Sequence, residues 1–144
     1  MGNVVYLPTL WDLIHPTFEW CPKFGYESYL TFMHLYPEAA GQLFAIDAAV
    51  CRRRAEMVAQ LYPELDMVPL TLIGTDVCGE NGPVVSPRLL REIYFPQVRW
   101  ALEPMVDAGI RTVWHSDGYI HPIVDDILVE MYLHAARHGC KQGS

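Results

Sequence analysis

The sequence predicts an α/β domain built on parallel strands, and two observations carry that expectation. Short β-branched or aromatic runs alternate with helical periodicity, in the order strand, helices, strand, helices, strand, helix. Alternation of this kind gives parallel strands joined by right-handed helical crossovers. The third run also ends in His115-Ser116-Asp117-Gly118, just ahead of an amphipathic segment. The C-terminal ends of strands are where barrels and open α/β sheets keep their chemistry.

The elements follow in order. Asn3 to Leu7 (NVVYL) stops at Pro8 and suits a short buried strand. Thr9 to Phe24 is loop-like, with Pro16 and Pro22 among Trp11, Phe18 and Trp20; it is expected to plug the core with aromatic rings. Tyr26 to Tyr36 reads as a helix through Tyr29, Leu30, Met33 and Tyr36. Pro37 opens the next one, as proline does at a first helical position. Leu43, Ile46, Val50, Met57 and Leu61 keep one face apolar to about Tyr62, where Pro63 should stop it.

Met67 to Ile73 is the second strand, paired only beyond Pro69. Gly74 to Pro83 carries three glycines and reads as a long irregular turn. Ser86-Pro87 is a cap followed by an N1 proline. It leads into helices near Arg88 to Phe95 and Gln97 to Ala108, stopped by Gly109. Ile110 to Trp114 is the third strand. Ile120, Ile123, Val124, Ile127, Leu128 and Met131 then trace one face of a final helix that fades toward Gly139.

Composition bounds the function. A chain of 144 residues, 51% hydrophobic and 19% charged, suffices for one globular domain with a modest core. A formal charge of -7 argues against an electrostatic nucleic-acid binder. Arg52-Arg53-Arg54 is the one basic cluster and reads as a solvated helix face. The N-terminus shows no charged leader with an apolar core, and the apolar runs fall short of a membrane span. Cys21, Cys51, Cys78 and Cys140 show no C-x-x-C spacing and read as reduced thiols. The expectation is a cytoplasmic protein.

Residues i and i+2 of a strand point to one side, so His115 and Asp117 converge if the strand continues through them. Sequential parallel strands are neighbours, which places Asp76 on the same rim. A histidine with a carboxylate at close range can bind a divalent metal or work as an oriented general base. Asp76, His115 and Asp117 are therefore the candidate catalytic set, with His115 and Asp117 as metal ligands and Cys78, Glu80, Ser116 and Tyr119 close by. Asp117 as a mere helix cap is the competing reading. His121 could face the same rim. His34 reads as a surface or packed residue. His134 and His138 suit the dipole at a helix end, and Cys140 belongs to the opposite end of the layer.

Two segments together, GTDVCGENGPVVSP and AGIRTVWHSDGYIHPIVDDIL, resemble the uroporphyrinogen decarboxylase superfamily, more narrowly its branch related to corrinoid-dependent methyltransferases. FGYESYLTFMHLYPEAAGQL is similar to that family's upstream helix pair, so the resemblance covers roughly Phe24 to Met131. It implies a (β/α)8 TIM barrel of which residues 1–144 form a partial domain, with about three parallel strands and their intervening helices. In those relatives His115 matches the zinc-ligand histidine, and Asp117 stands where the first ligand cysteine does. Asp76 matches the second acid of a G-D-D segment, Thr75 replaces the first, and Glu80 replaces a glutamine. The implied activity is zinc- and corrinoid-dependent methyl transfer, on a small molecule or a corrinoid protein. Porphyrinogen decarboxylation and a non-catalytic barrel fragment are the alternatives. The second ligand cysteine of the relatives, and the arginines that hold tetrapyrrole carboxylates, have no counterpart. Three strands cannot close the barrel, so open edges would favour self-association.

Overall fold

The structure, a computed structural model, describes residues 7–129. Two single-turn helices come first, α1 (Trp11–Ile14) and α2 (Cys21–Phe24), then α3 (Tyr26–Leu35) and the long α4 (Pro37–Glu64). Strand β1 (Leu70–Gly74) leads into a miniature hairpin of β2 (Cys78–Gly79) and β3 (Gly82–Pro83). Helices α5 (Pro87–Ile93) and α6 (Phe95–Asp107) follow, then β4 (Arg111–His115), a 3-10 turn at His121–Ile123 and helix over residues 124–129. The fold is thus a mixture of helices and strands, with one parallel pair and one small antiparallel hairpin.

β1 and β4 pair in parallel, from Leu70 against Arg111 to Gly74 against His115. A third track runs beside β1: Thr9 forms a parallel bridge with Leu72, whose N–H donates to the Pro8 carbonyl at 3.0 Å. The expected strand Asn3 to Leu7 lies outside the described residues except for Leu7. The Thr9 bridge lies alongside β1. Burial alternates along both paired strands. Thr71, Ile73 and Thr112 are buried, Trp114 is half-buried, and Arg111, Val113 and His115 on the other face are exposed. Helices therefore cover one face of the sheet, although parallel sheets are usually covered on both.

Several expectations need correction. The loop from Thr9 to Phe24 contains α1 and α2, each closed by a backbone bond from the residue just past its end, His15 to Trp11 and Gly25 to Cys21. Its aromatic plug is real in Phe18, which is 2% exposed and packs against Phe44, Tyr29 and Tyr94. Pro63 does not stop α4 at Tyr62. It sits in the last turn, where it costs a single N–H, and the helix ends before Asp66, whose φ is 50°. The turn from Gly74 to Pro83 is ordered as the β2–β3 hairpin.

The largest correction is the buried face of α4. Ile46 is 68% exposed and Met57 66%, and Val50 and Leu61 also face outward. The buried stripe is Ala40, Phe44, Ala48, Cys51, Ala55 and Tyr62. Small side chains decide this. Ala48 and Cys51 meet Ala101 of α6 in a cluster of their own, which lets the two helix backbones approach closely. Arg52 secures the same pairing by donating to the Trp100 carbonyl at 2.6 Å and to Glu103 at 2.7 Å. Arg52 is therefore a helix–helix tie, while Arg53 keeps the solvated position expected of the cluster.

Other expectations hold. Ser86 Oγ accepts from Leu89 N–H at 3.2 Å and caps α5, with Pro87 next to it. Gly109, at φ 74°, ends the turn after α6. Ile123 and Ile127 bury the start of the final helix, whereas Leu128 is exposed. Among the described residues no helix is long and apolar enough to cross a membrane.

Candidate metal and ligand site at the strand ends

β1 and β4 both end at the same rim, and the turns that follow them bring Asp76 and Asp117 together. Asp76 Oδ1 accepts the Asp117 backbone N–H at 2.8 Å. Ser116 Oγ accepts the Val77 N–H at 3.3 Å, so the two turns are stitched twice. His115 Nε2 lies 3.6 Å from Asp117 Oδ1. One ligand atom from each of Asp76, His115 and Asp117 falls within 4.8 Å of the others. The three residues named from sequence are thus one cluster, with Asp76 half-buried and the other two exposed.

Two glycines make the approach achievable. Gly74 pairs with His115 at φ 145°, and a Cβ there would collide with the His115 carbonyl. Gly118 sits at φ 85°, where a Cβ would collide with the Gly79 carbonyl. That closeness lets Tyr119 N–H donate to Gly79 O at 2.9 Å and pins the HSDG turn to the hairpin.

Cys78 is buried, and its thiol is pushed up first by burial and then by the Asp76 charge. It keeps its proton and is a poor thiolate ligand. The His121 ring lies tilted against Tyr119, with centroids 5.8 Å apart, and is not part of the triad. His134, His138 and Cys140 lie outside the described residues.

What the sequence reading missed is the wall contributed by α1 and the segment after it. A cleft of about 240 Å³ opens beside the triad, lined by Trp11, Asp12, His15, Thr17, Glu19, Gly74, Thr75, Asp76 and His115. The wall is held from four directions. Thr17 N–H donates to Asp47 of α4 at 2.8 Å, and Phe18 N–H to Thr75 Oγ1 at 3.3 Å. Tyr29 of α3 donates to the Phe18 carbonyl at 2.6 Å, and Tyr94 to that of Pro16 at 2.8 Å. Trp11 lies against His115 with ring centroids 5.4 Å apart. The signal for this wall was its position just beyond the strand expected from the sequence, where βα loops carry function.

His15 is the unusual member. It is 3% exposed, set edge-on against Trp114 at 4.6 Å, and neither ring nitrogen has a hydrogen-bond partner. The Pro16 carbonyl, which accepts from the Tyr94 hydroxyl, also lies against the imidazole and partly offsets the effect of burial. Burial pulls the imidazole down to about 3, so His15 is neutral at ordinary pH.

No family profile, curated protein or solved structure matches this chain. The resemblance described above rests on its quoted residues alone.

Proposed function

We propose that this chain carries the strand-end site of a uroporphyrinogen decarboxylase-type barrel, with Asp76, His115 and Asp117 as a divalent-metal site serving corrinoid-dependent methyl transfer. The supporting observation is the convergence of these three side chains at the ends of two adjacent parallel strands. One imidazole nitrogen and two carboxylates form a harder donor set than the thiolates of the relatives, suited to zinc and exchangeable with other divalent ions. Their spacing fits such an ion: His115 and Asp117 are already 3.6 Å apart, and Asp76 keeps Oδ2 free of the turn contact made by Oδ1. The metal would supply Lewis-acid activation of a thiol, by analogy with those relatives. The chain's own part is to orient. Trp11 restrains the His115 ring, and the Asp76 contact with the Asp117 backbone sets the spacing of the carboxylates.

Methyl transfer is preferred to porphyrinogen decarboxylation on electrostatic grounds. The cleft wall carries Asp12, Glu19 and Asp76 and no lysine or arginine, which opposes a substrate bearing many carboxylates. A cleft of about 240 Å³ also does not enclose a tetrapyrrole. A corrinoid would therefore meet this rim as the cofactor of a partner protein.

Metal titration tests the reading. The purified chain should bind about one equivalent of Zn²⁺ or Co²⁺, removable by chelator, and His115→Ala or Asp117→Asn should weaken binding at least about tenfold. An unchanged metal affinity in both variants rejects the site.

One observation favours a second reading, of a barrel section that functions only in association. The exposed sheet face at Arg111, Val113 and His115 lacks a covering layer among the described residues. Its check is given at the scale of the whole molecule below.

A further inference from the structure

The outer face of α4 carries an apolar stripe that stays in solvent. Ile46, Val50, Met57 and Leu61 are exposed along it, and Leu43 is half-buried at its N-terminal end. A row of large aliphatic side chains in solvent is uncommon on a monomer and marks an interaction surface. Its spacing is that of a coiled-coil seam. Positions 43, 46, 50, 53, 57 and 60 alternate steps of three and four along one helix. Leu43, Ile46, Val50 and Met57 fill four of them, Arg53 and Gln60 the others, and Leu61 lies beside Gln60. From Leu43 to Leu61 the seam runs about 27 Å at 1.5 Å per residue.

Charge selects the occupant. In a two-fold pair one patch meets itself, so each seam position has a defined counterpart. Parallel pairing sets Arg53 against Arg53 of the other copy, with like charges at the seam. Antiparallel pairing sets position 46 opposite 57, 50 opposite 53 and 43 opposite 60. Ile46 then meets Met57 twice, and Arg53 lays its aliphatic stem on Val50 while its head stays in solvent. The flanks agree with this orientation. Asp47 and Arg54 are one heptad apart on the side that faces α1, where Asp47 accepts the Thr17 N–H and Arg54 reaches the Leu13 carbonyl. Antiparallel pairing brings Arg54 of each copy toward Asp47 of the other.

We propose that two copies of this chain pair antiparallel through the outer face of α4, as a weak homodimer. A single helix–helix contact is small for a protein interface, which makes the dimer concentration-dependent. The surface uses neither the open sheet face nor Asp76, His115 and Asp117, and it stands whatever binds there.

Sedimentation in a Val113→Lys background, which disfavours association through the open sheet face, reads the α4 contact by itself. A monomer–dimer equilibrium is expected. Met57→Lys should raise the dissociation constant by about tenfold or more, and Arg54→Glu should raise it several-fold. Both positions are exposed, so either variant serves if the other does not fold. Disulfide trapping reads the orientation. A mixture of Ile46→Cys and Met57→Cys chains should form an intermolecular bridge between positions 46 and 57, identified by peptide mass. Ile46→Cys alone should form no bridge between its two positions 46, which antiparallel pairing holds about 16 Å apart. The proposal is overturned by a monomer at every concentration, or by an unchanged dissociation constant in Met57→Lys or Arg54→Glu. A bridge between two positions 46 would overturn it as well.

Discussion

The burial of His15 makes stability depend on pH. Its folded value of about 3 lies below the 6.5 of an exposed histidine, so below pH 6.5 the unfolded chain takes up a proton that the native state refuses. Stability from this group is whole above pH 6.5 and falls as the pH drops toward 3. Between pH 7 and pH 5 the loss is about 2 kcal/mol. His15→Phe should remove that part of the slope, so urea unfolding of the two proteins at both pH values reads the difference directly. A parallel pH dependence in the two proteins would refute the assignment. Gly118 offers a second check at this scale. Gly118→Ala places a Cβ against the Gly79 carbonyl at a φ of 85°, and should cost about 1–3 kcal/mol while displacing Asp117 from Asp76. Thermal unfolding gives the first effect and metal affinity the second.

Among the elements, α4 is the instructive case, because it carries two apolar stripes and buries the one with smaller residues. The large aliphatic side chains at Leu43, Ile46, Val50, Met57 and Leu61 made the other stripe look like the core. Periodicity reports that a helix has an apolar face but cannot weigh how closely a partner helix can approach. Ala48 and Ala101, both fully buried, set that approach. Ala48→Leu should therefore destabilise by about 1–3 kcal/mol through overpacking, whereas Ile46→Ser should stay within about 0.5 kcal/mol of the parent. Chemical denaturation of the pair checks both, and the opposite ordering would mean that α4 packs by its aliphatic stripe. α1 and the residues after it show a different limit. Trp11, His15 and Glu19 reach the site only because Asp47, Tyr29, Tyr94 and Thr75 fix the backbone of that segment. Three of those partners lie on distant helices or turns, where local sequence carries no sign of them.

For the whole molecule, the sheet has one helix-covered face and one exposed face, and β4 has no further strand beside it among the described residues. Such an arrangement favours association through the exposed face and edge. Light scattering should show a mass that rises with concentration, and Val113→Lys, at a position 42% exposed on that face, should reduce it. A stable monomer across the range would count against the reading as a barrel section.

The alternation of helices and strands, the spans of β1 and β4, the Ser86 cap and the stop at Gly109 were legible in the chain itself, because each depends on neighbours within a few residues. The grouping of Asp76, His115 and Asp117 was legible through the adjacency of sequential parallel strands, but β4 ends at His115, and it is the turn held by the Asp76 and Val77 contacts, not the two-residue repeat of a strand, that brings Asp117 in. Tertiary structure alone decided which stripe of α4 is buried and that the segment from Trp11 to Glu19 walls a cleft beside the strand ends, with His15 buried behind it. Those outcomes rest on close packing of small side chains and on hydrogen bonds between residues far apart in the chain. Local pattern does not encode either one.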